Sequence, residues 1–237
     1  MPLSIQEIAG AIAFALATAL LLMPLAKRLP ADMERHWDED VEAHLKTKLT
    51  LQDNADRFSL SLTESMWIVG AGLMLGALVM VRHGFSPTGA AWSLYFWALL
   101  LLTAINLKHS LLPDKVVLTT LWIGLLFHTH AGQATGHVYG AAVAFVGPWL
   151  LALTIKRVTG AFVIGYGDFK TFAMAGAWFG LEAVPGLLMF FMLGVVVSMV
   201  APLLLRRRPS GVIPTGPAHL FASIVLACSP YLRPLIE

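Results

Sequence analysis

Charge and cysteine are what this chain has least of. Of its 237 residues only 13% are Asp, Glu, Lys or Arg, about half the share in a soluble domain. That shortage excludes a disordered chain, a nucleic-acid-binding domain resting on a basic face, and most cytosolic enzymes. The single cysteine, Cys228, excludes an internal disulfide and a cysteine-built zinc site. It reads as a small apolar residue in a helix. What fills the chain instead is apolar: 57% of the residues are hydrophobic and the mean hydropathy is +0.74. Surface of that kind needs a bilayer.

A spanning helix takes about 20 mostly apolar residues, and fewer inside a polytopic bundle. Eight runs qualify: 5–26, 65–81, 90–105, 116–131, 138–155, 171–181, 184–205 and 217–232. The sixth is short, and its division from the seventh at Glu182–Pro185 rests on one charge and a proline. No acidic residue lies deep in any of them, which argues against a solute transporter. The first run has no basic segment ahead of it and is followed by Lys27-Arg28, so it reads as a retained span. Lys and Arg gather in cytoplasmic loops. Threaded on that rule, fourteen of the sixteen cations fall on the cytoplasmic side, and only Arg82 and Arg233 fall outside. The expected fold is therefore all-α: a membrane bundle of about eight helices with both termini periplasmic. Arg206–Arg208 reads as a topology anchor touching lipid head groups. No nucleic-acid partner is called for.

Two domains are expected. Residues 1–64 hold the first span and a cytoplasmic loop, in which Trp37, Val41 and Leu45 recur at helical spacing through Asp32–Lys48. Residues 65–237 form the membrane core. His36, Asp38, Asp40 and His44 match no standard metal-ligand spacing and read as a solvated helix face. His128, His130 and His137 read as a solvated outer loop, and Met189-Phe-Phe-Met192 as lipid-facing or packing surface.

Two loops at cytoplasmic ends carry chemistry. One reads Ala104-Ile-Asn-Leu-Lys-His-Ser-Leu-Leu-Pro-Asp114, the other Ile164-Gly-Tyr-Gly-Asp-Phe-Lys170. Ionisable residues near the hydrocarbon boundary are functional candidates. Gly165 and Gly167 permit either a close approach to another segment or a positive φ. From spacing alone, Asp168 reads equally as an N-cap of the sixth helix.

The pairing of Leu111-Leu-Pro-Asp114 with Gly165-Tyr-Gly-Asp-Phe-Lys170 resembles the type IV prepilin peptidases, membrane aspartyl proteases of the GxGD kind. Arg28-Leu-Pro with Met33-Glu-Arg-His-Trp37 is similar to the start of that family's first cytoplasmic loop. Ala173–Trp178 resembles the helix after the GxGD turn, and Ile213-Pro-Thr-Gly-Pro217 the turn before the last helix. The resemblance implies leader removal from type IV pilin or pseudopilin precursors, whose short basic leader precedes a hydrophobic helix. It also implies a bacterial inner membrane. Asp38–Glu42 would attract the basic leader.

Family members activate water with two aspartates, one of which matches Asp168. The other lies eight residues before the Asp of Leu-Pro-Asp, and here that position is Asn106. Two close carboxylates share a proton and divide the roles of base and acid. An amide matches Asp in shape but is no base at neutral pH. The chain is thus expected to be inactive or impaired. Three accounts stand open: an engineered isosteric change, a naturally silent homologue, or Asp114 serving as the second carboxylate. Asp114 otherwise reads as a positioning carboxylate, with Lys170 as its counter-charge. The alternative to a peptidase is a non-catalytic membrane binding or assembly protein derived from one. Many members also methylate the product with S-adenosylmethionine and bind zinc through two Cys-x-x-Cys pairs. Here those cysteines are missing, so no zinc is expected, while methyl transfer stays open without a matching motif.

Overall fold

The computed structural model describes residues 62–160, 164–204 and 213–229, with Gly10, Ala13 and Arg28 each in helix. Those three positions apart, the first expected span, the amphipathic segment Asp32–Lys48 with its His and Asp residues, and Arg206–Arg208 lie outside the described residues. Among the described residues the regular structure is helical throughout. The α-helices are α1 (Leu62–His83), α2 (Pro87–His109), α3 (Asp114–His130), α4 (Ala134–Thr159), α5 (Tyr166–Phe179), α6 (Val184–Leu204) and α7 (Gly216–Cys228). A 3-10 turn, Leu181–Ala183, joins α5 to α6.

Four stretches are long and apolar enough to cross a membrane: Ser65–His83, Pro87–His109, Ala134–Thr159 and Leu181–Val200. The chain is a multi-pass membrane protein on that ground. Among the described residues the remaining expected spans, at α3, α5 and α7, form shorter helices. With 14 residues, α5 extends roughly 21 Å at about 1.5 Å per residue, against a hydrocarbon core of about 30 Å. It ends at Gly180, whose φ of +80° suits glycine and starts the 3-10 turn. That turn explains why the division between the sixth and seventh runs was faint in the sequence.

The chain divides into two compact units, Met1–Ile105 and Asn106–Glu237. In the first, Ser86 starts α2 by accepting the Gly89 N–H on its hydroxyl at 3.0 Å, with Pro87 at the first helical position. Trp92, Tyr95 and Phe96 are buried, with Tyr95 edge to face on both of the others. The Trp97 indole N–H reaches the Gly72 carbonyl of α1 at 3.4 Å.

In the second unit α5 is the centre, buried at every position from Thr171 to Phe179. It crosses α4 through Gly140 and Gly176. A Cβ on Gly140 would sit 2.5 Å from the Gly176 carbonyl oxygen, so only glycine lets the two backbones approach this closely. Trp178 lies over Gly124 of α3 and donates its indole N–H to the Thr120 carbonyl at 2.9 Å.

The histidines at the far end of α3 and α4 correct the expectation of a solvated loop. His128 and His137 are buried at 2% and 4% exposure and stacked with ring centroids 3.5 Å apart. His137 Nδ1 lies 3.0 Å from the Ala177 carbonyl. Only His130 faces outward. Their spacing puts two of them on the facing sides of adjacent helices, which a loop reading could not anticipate.

Candidate active site

Asn106 sits in the last turn of α2, at 4% exposure. The helix ends at Ser110, whose N–H bonds the Asn106 carbonyl at 2.9 Å and whose φ of +54° turns the chain out of the helix. The turn leads to Pro113, extended at φ −63° and ψ 122°, whose carbonyl accepts the Val116 and Val117 N–H groups of α3. The Leu-Leu-Pro-Asp segment is thus a rigid corner between two helices.

The second loop docks on that corner. A Cβ on Gly167 would stand 3.1 Å from the Leu112 Cβ. Gly165 has φ −75°. Neither glycine has a positive φ, and close approach to another segment is what Gly167 supplies; a Cβ on Gly165 would meet only the Asp168 Oδ2, at 3.4 Å. Asp168 is not the N-cap of α5 either: Gly165 holds that position and Asp168 is third in the helix. The Asp168 Oδ2 reaches back to accept the Gly165 N–H at 3.2 Å, satisfying an otherwise open helix donor.

The other oxygen is held from α7. His219 Nε2 lies 3.1 Å from Asp168 Oδ1, and both side chains are buried, at 1% and 5% exposure. Burial alone pushes the Asp168 carboxyl up. The hydrogen bond to His219 opposes it, helped by the Thr215 hydroxyl and the Gly165 N–H, and together they hold the carboxyl below the usual carboxylate range.

The same helix end engages position 106. Asn106 Oδ1 accepts the Gly216 N–H, in the first turn of α7, at 2.7 Å. That bond fixes the amide orientation, since only its oxygen can accept, and leaves Nδ2 as the donor end. Thr215–His219 therefore touches both positions matched to the aspartate pair. Asp114 and Lys170 form an ion pair at the rim, at 52% and 33% side-chain exposure. It joins the start of α3 to the first turn of α5. Such a surface pair is worth about 0–1 kcal/mol.

His219 is the residue that sequence reasoning missed. It lies inside the apolar run 217–232, where an ionisable residue is itself a functional signal. Among the described residues no group of three or more His, Cys, Asp and Glu converges to hold a metal. The arrangement can hold one ionised carboxylate in a sheltered site beside an amide donor, which suits activation of a water against a carbonyl.

Residues 93–203 match the model of the type IV leader peptidase family. A prepilin leader peptidase/N-methyltransferase of Pectobacterium carotovorum subsp. carotovorum is 30% identical over 215 residues, covering 73% of this chain and 75% of the relative. One of Stutzerimonas stutzeri is 36% identical over 199 residues, covering 80% and 68%. One of Escherichia coli (strain K12) is 37% identical over 153 residues, covering 63% and 68%. No solved structure matches the chain.

Proposed function

Because the chain belongs to the type IV leader peptidase family, we propose that it is a membrane aspartyl endopeptidase whose working carboxylate is Asp168. Its substrate is a pilin or pseudopilin precursor in the bacterial inner membrane, whose basic leader meets the site at the cytoplasmic face. The observation that carries this reading is the buried Asp168 carboxylate, ionised and held on both oxygens, with Asn106 tied to the same end of α7.

Asp168 takes a proton from water as the water attacks the scissile carbonyl. The Asn106 Nδ2 donates toward the oxygen where charge develops. An amide cannot exchange a second proton, so cleavage is slower than with a carboxylate at 106, by up to the ~10²–10⁴ that general acid–base catalysis supplies. Asp114, engaged by Lys170 at the rim, is a positioning group and not the second carboxylate. N-methylation of the product from S-adenosylmethionine enters the proposal through the relatives' names, and no described residue is assigned to it.

One observation favours a second reading, a non-catalytic binding or assembly protein: the Asn106 oxygen is already committed to capping α7. The two separate in one assay. The protein, purified and reconstituted in lipid vesicles, is given a prepilin-type precursor with a basic leader, and leader release is followed by mass. The peptidase reading expects slow release, faster release by Asn106→Asp, and none by Asp168→Asn. Precursor binding without release by either the native chain or Asn106→Asp would establish the binding protein instead.

A further inference from the structure

His219 occupies an unusual setting. Phe172 and Phe191 pack against its ring with centroids 4.6 and 4.5 Å away. Its Nδ1 is buried with no hydrogen-bond partner among the described residues, and its Nε2 faces Asp168. A half-satisfied imidazole among aromatic rings is a poor packing choice, and leucine would fill such a space at less expense of desolvation. Among the described residues the polar contact it gains is the carboxylate.

Resting on the peptidase reading above, we propose that His219 is the positioning residue that lets a site with one carboxylate work, standing in for the aspartate absent at 106. The argument is one of charge and protons. Two close carboxylates share one proton and carry a net charge of about −1. An Asp168 carboxylate accepting from a neutral imidazole carries the same charge with one hydrogen between the partners. The setting of the two ring nitrogens selects the tautomer: a hydrogen on Nε2 meets the carboxylate, whereas on Nδ1 it would be left unpaired among phenyl rings. The hydrogen therefore sits on Nε2, aimed at Asp168.

The steps balance without a second acid. The water oxygen bonds to the scissile carbon, the carbonyl π pair moves onto oxygen, and the water proton passes to Asp168. On collapse the C–N bond breaks and that proton goes to the departing amine, leaving Asp168 ionised again. His219 keeps its Nε2 hydrogen throughout and never touches substrate. It holds the carboxylate's charge and aim.

Among the described residues the ionisable surroundings are few. On α5, Lys170 is engaged at the rim by Asp114 of α3, and Tyr166 is exposed. From α6 the ring facing His219 is Phe191, which does not titrate. On α7 the only titrating partner of Asp168 is His219 itself, beside the Thr215 hydroxyl.

The experiment compares the native chain with His219→Leu and His219→Gln, in lipid vesicles, by two readouts. One is the pH profile of kcat/KM for a prepilin-type precursor. The other is the titration of the Asp168 carboxyl in protein carrying carbon-13 aspartate, assigned through Asp168→Asn, with no substrate present. In His219→Leu burial acts on Asp168 with less opposition, so the acid limb and the carboxyl midpoint both move up by about one pH unit or more. At the acid end of the profile, at about pH 4, kcat falls several-fold while KM stays within about twofold, and the difference fades toward neutral pH. His219→Gln keeps the volume and an N–H donor and recovers most of both. If the native chain cleaves but His219→Leu moves neither the limb nor the midpoint, His219 is packing and the inference falls while the peptidase reading stands. If the midpoint moves but the native chain never cleaves, His219 does hold Asp168 and it is the peptidase reading that falls.

Discussion

The side-chain oxygen of Asn106 accepts the backbone N–H of Gly216, 110 residues further along the chain, at 2.7 Å. The bond puts a polar group from the end of α2 on the N-terminus of α7, where helix donors lack intrahelical partners and the dipole is positive. Two substitutions at 106 should then act in opposite directions. A carboxylate in Asn106→Asp accepts the same N–H and is favoured by the helix end, so folding stability holds and cleavage rises by up to ~10²–10⁴. Asn106→Ala leaves the Gly216 N–H buried and unpaired, a loss of about 1–3 kcal/mol. Thermal denaturation in detergent and leader release together check both. A stable Asn106→Ala would show that the cap does nothing.

The lowered Asp168 carboxyl makes a prediction about acid. A group whose folded pKa lies below its unfolded one contributes stability that is complete above the unfolded value. The contribution is lost as pH falls through the folded value. His219, Thr215 and Gly165 favour the ionised form here. Asp168→Asn should therefore melt below the native protein at neutral pH, and the gap should close as the pH is taken below about 4. Melting curves at pH 7 and pH 3 measure it, and a gap that widened in acid would reverse the sign assigned to His219.

The approach of Gly167 to Leu112 can be tested by compensation. With a Cβ landing 3.1 Å from the Leu112 Cβ, Gly167→Ala pushes the corner and the α5 turn apart by a few tenths of an ångström. We expect about 1–2 kcal/mol of lost stability and a larger proportional loss of cleavage, because the displaced turn carries Asp168. Leu112→Ala added to it removes the obstacle. The double variant should recover activity that neither single one keeps, and additive losses in a double-mutant cycle would mean the two residues do not press on each other.

What the sequence disclosed and what it withheld follow from the range of each interaction. Helix positions were legible because apolar runs bounded by charge are local, and Ser65, Ala90 and Val184 fall within a few residues of helix starts. The two loops were legible because their residues are polar in an apolar chain. Their fit was not: the pairs Gly167–Leu112 and Gly140–Gly176 bring together positions far apart in the chain, and a lone glycine gives no hint of its partner. His219 stayed hidden for the same reason, since its meaning lies in a carboxylate 51 residues away. For His128 and His137 polarity does not mean exposure, because they bury each other.

The Asp114–Lys170 pair separates stability from substrate handling. Both partners are partly exposed, at 52% and 33%, so breaking the pair should change stability by less than about 1 kcal/mol. Its effect on a charged substrate should be larger and signed. Lys170→Met leaves Asp114 as an uncompensated negative charge beside the turn that carries Asp168, so a basic leader is drawn in and KM falls. Asp114→Asn leaves Lys170 uncompensated, and KM for the same leader rises. In both, kcat changes little because neither residue touches Asp168. Raising the salt from low to about 1 M shortens the screening length from about 10–30 Å to about 3 Å, so both KM effects should shrink together. Steady-state cleavage of one basic-leader precursor at two ionic strengths reads all of this. Equal KM values for the two variants at low salt would remove the pair from substrate positioning and leave it a surface contact of α3 with α5.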